Sequence, residues 1–369
     1  MTGLGECKLG DVVRFGNGKA RPSTTGNVPI YGGNGILGYC RDANYDGETI
    51  VIGRVGAYCG ATYYEDQPIW VSDNALSAKP KNDHSAKYLY YLLKNIDLNQ
   101  QAQGSSHPLV TQTLLNSIGI QIAINPAEQK TIAAILSSLD DKIALLRHQN
   151  VTLEAIAETL FRQWFLEGVS DVFETGTISD LIEFNPPRKL KKGAAAPYLE
   201  MASLSNATFN PDSWYDRTFS SGTKFINGDT LLARITPCLE NGKTAYVTFL
   251  KAGEVGWGST EYIVMRPKGN LHSFFAYSLA RSSDFRDYAE GCLAGSSGRQ
   301  RVDVDHLKNY KIRIPSSRAV EEFNAAAQAI TPKLHANSLQ IRTLESLRDT
   351  LLPKLMSGEV RVQYDSEAA

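Results

Sequence analysis

The sequence predicts an α+β protein: two β-rich domains in tandem pseudo-repeat, separated by two long helices that form an antiparallel coiled coil. Three observations carry this reading. First, two amphipathic stretches, near 139–166 and 330–357, share one heptad register at a constant separation of 191 residues. Leu139, Ile143, Leu146, Asn150, Leu153, Ala157, Leu160 and Trp164 fall on Ile330, Leu334, Asn337, Ile341, Leu344, Arg348, Leu351 and Leu355, spaced by four and three. An apolar period of about 3.5 residues needs a partner helix, and the second copy supplies one. Second, each stretch follows a β-rich segment of similar length. Third, those segments match each other at shifting separations, so the insertions lie in the globular parts and not in the helices.

The first domain, 1–124, reads as short strands broken by Gly, Pro and Asn: KLGDVVRFGNG, VPIYGGNGILGY, GETIVIGRVGAYCG and PIWVSDNALSAK, with a helix near Ala86–Asn95. A central helical region, 125–167, follows. Pro126 opens a helix of about three turns ending near Ser138, and Asp140 has the chemistry of an N-cap for a second, longer helix. The second domain, 168–314, repeats the plan. GTISDLIEF is its first strand, GDTLLARITPCLENG answers GETIVIGRVGAYCG so that Arg234 matches Arg54, and SFFAYSL at 273–279 answers YLYYLL at 88–93. The distal helical region, 315–360, has Thr331 as a cap with Pro332 at the first helical position, again predicting a short helix, a kink and a long helix. A tail, 361–369, completes the chain. The plain alternative for the heptad stretches is two core helices of one domain. Asn150 and Asn337 argue against it, because a polar seam residue fixes register in a coiled coil and burdens an ordinary core.

Hydrophobic content of 42%, charged content of 21% and the lack of an apolar run near 18 residues predict a soluble chain without a membrane span. MTGLGECKLG has no signal-peptide hydrophobic region, so a cytoplasmic location is expected. Cys7, Cys40, Cys59, Cys238 and Cys292 are odd in number and never in a C-x-x-C pair, which predicts reduced, mostly buried thiols. The formal net charge of −1 means that contact with nucleic acid must come from local clusters or from basic partner subunits.

A search for catalytic chemistry assigns none. Asn185-Pro186-Pro187-Arg188 begins like the N-P-P-aromatic motif of amino-methyltransferases, but Arg188 cannot stack on a flipped base as the aromatic residue does. A Pro-Pro turn after a strand is the simpler reading. The glycines of Tyr31-Gly32-Gly33-Asn34-Gly35 lack the order of either phosphate-binding loop, so no cofactor is implied. His84, His107, His148, His272, His306 and His335 lack metal-ligand spacing, and His148 and His335 are placed on exposed helix faces. No metal is expected.

The features suited to DNA are basic and polar groups on loops. Lys19 and Arg21 lie beside Gly16-Asn17-Gly18, Asn34 in the Gly-rich turn, Arg54 and Arg234 at the ends of matched strands, and Arg188, Lys189, Lys191 and Lys192 in one run. Such groups suit phosphates, although solvated surface charge needs no function. Two loops match at the 191-residue separation: Ser105, Ser106 and His107 in the first copy, and Ser296, Ser297, Arg299, Gln300 and Arg301 in the second. Arg and Gln can read guanine and adenine edges.

Several segments together resemble the specificity subunit of type I DNA restriction-modification systems. NPAEQKTIAAIL followed by SLDDKIALLRHQNVTLEAIAETLFRQWF is similar to that family's central helical region, and LQIRTLESLRDTLLPKLMSGEVRV to its distal one. IYGGNGILGY and VIGRVGAYCG with WVSDNAL resemble its target-recognition domains. The resemblance covers nearly the whole chain. It implies two target-recognition domains, each reading one half of a bipartite sequence in double-stranded DNA, held apart by the coiled coil. Methyltransferase (modification) subunits, expected as two, would dock on that coiled coil, and a restriction (translocase and nuclease) subunit would join through the assembly, with no membrane involved. The chain itself would be non-catalytic. The seam departs from the pattern at Arg348, where a snorkelling side chain or a carboxylate partner is expected. The alternatives are a structural adaptor whose heads bind protein, and an adenine methyltransferase.

Overall fold

Among the described residues, nine strands precede the first long helix. The computed structural model describes residues 3–102, 108–166, 174–295 and 298–364. In chain order the first half contains β1 (Leu4–Lys8), α1 (Leu9–Val12), β2 (Val13–Asn17), β3 (Val28–Gly32), β4 (Gly35–Cys40), β5 (Thr49–Gly53), β6 (Thr62–Glu65), β7 (Trp70–Val71), β8 (Ala75–Pro80), α2 (Ala86–Asn95), α3 (Leu98–Gln101), α4 (Gln112–Ser117), β9 (Gly119–Ala123) and α5 (Pro126–Phe161). The second half contains β10 (Thr175–Thr177), α6 (Ile178–Leu181), β11 (Ile182–Phe184), β12 (Ala195–Leu199), β13 (Tyr215–Thr218), β14 (Thr223–Phe225), β15 (Thr230–Ala233), β16 (Thr244–Tyr246), β17 (Gly256–Gly258), β18 (Tyr262–Pro267), α7 (Phe274–Arg281), α8 (Ser283–Gly291), β19 (Leu293–Ala294), β20 (Arg301–Val302), α9 (Val304–Leu307), β21 (Lys311–Arg313) and α10 (Ser317–Met356).

The chain divides into two units, Met1–Ile143 with Thr343–Ala369, and Ala144–Arg342, so α5 and α10 each contribute one end to either unit. In the first unit β2-β8-β5-β6 form an antiparallel sheet, β4-β3-β7 a second sheet and β1-β9 a pair. β5 is buried along its whole length, as its run Thr-Ile-Val-Ile-Gly suits. Leu9, Ile50, Ile52, Tyr88, Leu89 and Leu92 build the core with Ile132, Ala133 and Leu136 of α5 and Leu352, Leu355 and Met356 of α10.

The second unit has the same plan. β11-β18-β15-β16 answer the first sheet, β13-β12-β17 the second and β10-β21 the pair, with β14 added at the edge of the middle sheet. In both middle sheets a Trp-bearing strand runs parallel to its neighbour, pairing Ile30 with Trp70 and Tyr198 with Trp257. The core is more aromatic. Phe161, which ends α5, and Phe165 just beyond it lie 5.3 and 5.0 Å from Phe275, and Phe165 lies 5.3 Å from Phe323 of α10. Such pairs contribute about 0.5–1.5 kcal/mol each beyond the area they bury.

Both long helices differ from their expected form. α5 runs unbroken through Asp140, and α10 runs unbroken through Thr331, Pro332 and Pro353. The carboxylate of Asp140 is not a cap: it accepts from the Tyr91 hydroxyl at 2.8 Å and pairs with Arg348 at 2.7 Å. Arg348 therefore has its carboxylate partner, and buries its seam position without an orphaned charge. Thr331 donates back to the Ala327 carbonyl at 2.9 Å instead of opening a new helix. Packing of the flanking turns, with Ile330 and Leu334 buried, outweighs the backbone bond that proline removes. His335 is another correction. It is half-buried, its Nδ1 lies 2.8 Å from the Thr248 hydroxyl, and burial holds its pKa below the usual 6.5. All five cysteines are free; Cys40 and Cys59 are buried and the other three are partly exposed. Among the described residues no helix is long and apolar enough to cross a membrane.

Candidate nucleic-acid interface

Arg54 and Arg234 follow the matched central strands β5 and β15, and the backbone fixes both in the same way. The Arg54 N–H donates to the Asn74 carbonyl at 3.0 Å, and its carbonyl accepts from Val110 at 3.0 Å. The Arg234 N–H donates to the Glu261 carbonyl at 3.0 Å, and its carbonyl accepts from Val302 at 2.8 Å. Among the described residues, the Nε of each arginine is buried without a hydrogen-bond partner. A buried guanidinium N–H without an acceptor is costly, and the Nε of Arg188 is in the same state.

In the first unit Lys19 is held to the middle sheet, donating from its backbone to Val71 and accepting from the Trp70 indole at 3.4 Å. Arg21 reaches the β3–β4 hairpin, where its guanidinium donates to the Leu37 carbonyl at 3.1 Å. Asn34 is exposed at the hairpin turn, and Gly35 beside it needs the left-handed conformation it adopts (φ 78°). Ile36, Leu37 and Tyr39 are exposed along β4. Ser105, Ser106 and His107 lie outside the described residues.

In the second unit the expected arginines are largely engaged. Arg188 pairs at 3.3 Å with Asp229, a fully buried carboxylate that also holds Arg266. Asn185 is structural: its backbone N–H and side-chain oxygen bracket Val264 of β18, at 2.7 and 2.9 Å. Lys189, Lys191 and Lys192 are exposed. Arg301 is clamped by Glu261, whose carboxylate takes its Nε and Nη2 at 2.7–2.9 Å, and this contact holds the carboxyl below its ordinary range. Arg234 donates to the Val302 carbonyl at 2.6 Å. Gln300 exchanges backbone and hydroxyl bonds with Thr236, and Arg299 is exposed. Ser296 and Ser297 lie outside the described residues. Thus Arg234, Gln300 and Arg301 come together, whereas the basic run does not join them: Asp229 and Arg234 bracket β15, about 16 Å apart at about 3.3 Å per residue.

Sequence reasoning missed Arg217. It lies on the fully exposed strand β13, with its guanidinium 4.7 Å from the Tyr198 ring and 5.7 Å from Trp257. The only signal was the alternation Tyr-x-Arg at 215–217. Among the described residues no group of three His, Cys, Asp or Glu side chains is placed to hold a metal.

The profile described as the type I restriction modification DNA specificity domain matches residues 1–155 and 170–329. The specificity subunit of the type I restriction enzyme MjaIX, from Methanocaldococcus jannaschii, is 24% identical over 326 residues, covering 80% of this chain and 74% of that protein. A putative type I restriction enzyme specificity subunit of Haemophilus influenzae is 23% identical, covering 88% and 89%. The EcoEI specificity subunit of Escherichia coli is 38% identical over 143 residues, which span only 24% of its length. In fold, the chain is similar to the crystal structure of a type I restriction-modification S subunit from M. genitalium, with a TM-score of 0.62, 16% identity and 96% of each chain covered. Two copies of one domain plan, matched by the same profile over most of the chain, place it in the family of type I restriction-modification DNA specificity subunits.

Proposed function

We propose that this chain is the DNA-reading subunit of a type I restriction-modification complex, in which residues 1–124 and 168–314 each read one half of a bipartite target in double-stranded DNA. The observation that carries the reading is the repeated domain plan matched by the DNA specificity profile, with Arg54 and Arg234 at equivalent strand ends among the candidate contacts. Lys19, Arg21, Asn34, Lys189, Lys191, Lys192, Arg299 and Gln300 are the remaining candidates on exposed loops and turns. Methyl transfer and cleavage belong to the methyltransferase and restriction partners, with two methyltransferase subunits expected for two half-sites.

The helical regions 125–167 and 315–360 are the proposed antiparallel coiled coil. Supporting it, Asp140 pairs with Arg348 inside the first unit and Asn150 accepts from Asn337 at 2.8 Å inside the second, so the contacts ascend α5 as they descend α10. Ile143, Leu146, Ile330 and Leu334 are buried, and Leu139, Leu153, Leu160, Ile341, Leu344 and Leu351 half-buried, as a seam requires.

Co-expression with a partner methyltransferase subunit, followed by methylation-sensitive sequencing of the host DNA, tests the reading. Methyladenine is expected at a bipartite motif of fixed gap, and only when this chain is present. A stable complex that adds no methylation would favour the adaptor alternative instead.

A further inference from the structure

The middle sheet of the second unit ends in an aromatic platform that carries one arginine. Tyr198 and Trp257, paired across neighbouring parallel strands, stand 4.4 Å apart, and Tyr215 closes on Tyr198 at 5.5 Å. The Arg217 guanidinium lies over both Tyr198 and Trp257. Trp257 is almost fully buried, and its indole N–H donates to the Arg217 carbonyl at 3.3 Å, so side chain and backbone are tied to one support. β13 is an edge strand and all four of its residues are exposed. Among the described residues the Arg217 side chain has no ion pair and no hydrogen bond. Glu200 accepts from the Tyr215 hydroxyl at 2.5 Å, and Asp216 alternates to the opposite face of the strand.

The surroundings are basic. Leu190 packs against Ala196, Phe219 and Trp257, and Gly193 and Ala194 exchange backbone bonds with Phe219. These contacts pin the run Lys189, Lys191 and Lys192 beside the platform. Lys224 adds another cation, lying 5.2 Å from the Phe219 ring and donating to the Arg188 carbonyl.

We infer that Arg217 reads a guanine in the half-site contacted by the second domain, with the lysine run holding the flanking phosphates. The inference rests on the DNA-reading function proposed above. Stacking fixes the plane of the guanidinium, which leaves a fork of N–H donors directed outward, and guanine O6 and N7 in the major groove accept such a fork in two parallel bonds. A major groove about 12 Å wide admits strands as well as helices. The edge position of β13 meets that requirement.

The test uses the full complex with its methyltransferase subunit. Methylated motifs and binding to oligonucleotides with each base of the second half-site replaced are measured for wild type, Arg217→Ala and Arg217→Lys. Arg217→Ala is expected to lose discrimination at one G·C position by roughly tenfold or more, with the first half-site and the gap unchanged. Arg217→Lys is expected to keep the salt dependence of binding, because it keeps the charge. Normal preference at every position in Arg217→Ala would overturn the inference, and a loss of affinity without loss of preference would show a phosphate contact instead. Unchanged reading of the first half-site reports a folded complex. A wild-type complex that methylates no bipartite motif would defeat the underlying function instead.

Discussion

Glu154 of α5 faces the aromatic core of the second unit as a carboxylate with one satisfied oxygen. Its Oε2 accepts from the Tyr277 hydroxyl at 2.7 Å, while Oε1 is buried without a partner among the described residues. Burial raises its pKa above the usual 4.5, outweighing the Tyr277 bond and the nearby Arg281 charge. A carboxyl raised on folding favours the protonated form in the native state. Its contribution is therefore fully present below about pH 4.5 and lost as the pH rises through the raised value. Glu154→Gln keeps an acceptor for Tyr277 and removes the titration. The variant is expected to gain stability relative to wild type as the pH rises above about 4.5. Melting temperatures of both proteins across that rise check it; a difference constant with pH would show that the carboxyl is not perturbed. Side-chain partnership of this kind was not legible in the sequence. Arg188 and Arg301 read as free cations there, yet Asp229 and Glu261, 41 and 40 residues away, hold them. Arg217 escaped notice for the same reason: its platform joins residues 198, 217 and 257, which only the sheet brings together.

At the scale of elements, the polar layer of the long helices is the most consequential choice. Asn150 and Asn337 are both buried and bond to each other, with Gln149 at the rim. Replacing either alone by leucine strands the other amide, at a cost of about 1–3 kcal/mol. Replacing both removes the unmet donors and acceptors and buries more apolar surface. Urea unfolding of Asn150→Leu, Asn337→Leu and the double variant is expected to show strong favourable coupling, the double variant being at least as stable as either single one. Additive losses would mean that the two amides act independently. The repeat and α2 over Ala86–Asn95 were legible, because apolar period and turn residues are local signals. Helix continuity was not. Asp140 and Thr331-Pro332 carry the chemistry of helix starts, and only tertiary partners, Tyr91 and Arg348 for the first and the buried turns around Ile330 and Leu334 for the second, override it.

For the whole molecule, the proposed function makes the helix pair a ruler, and a ruler has both a length and a twist. Duplicating residues 143–149 of α5 and 338–344 of α10, which face each other if the Asn150–Asn337 register extends, lengthens each helix by seven residues, about 10 Å at 1.5 Å per residue. That length matches about three base pairs of B-DNA at about 34 Å per turn. The twist does not match. A heptad turns an α-helix back by only about 20°, whereas three base pairs turn the duplex by about 100°. The lengthened complex must therefore unwind or bend its target, or settle for a shorter extension whose faces lie nearer to the two heads. Methylation by the insertion variant is expected at the same two half-sites with a gap longer by one to three base pairs, and at a lower rate than wild type because the DNA deformation has an energetic cost. Insertion into α5 alone should allow only one of the pairs Asn150–Asn337 and Asp140–Arg348 to form and yield no stable complex. Sequencing of methylated sites in cells carrying each variant distinguishes these outcomes. A two-helix variant that methylates at the original gap would show that something other than the proposed coiled coil sets the spacing, and the duplicated helices would then serve only to dock partners.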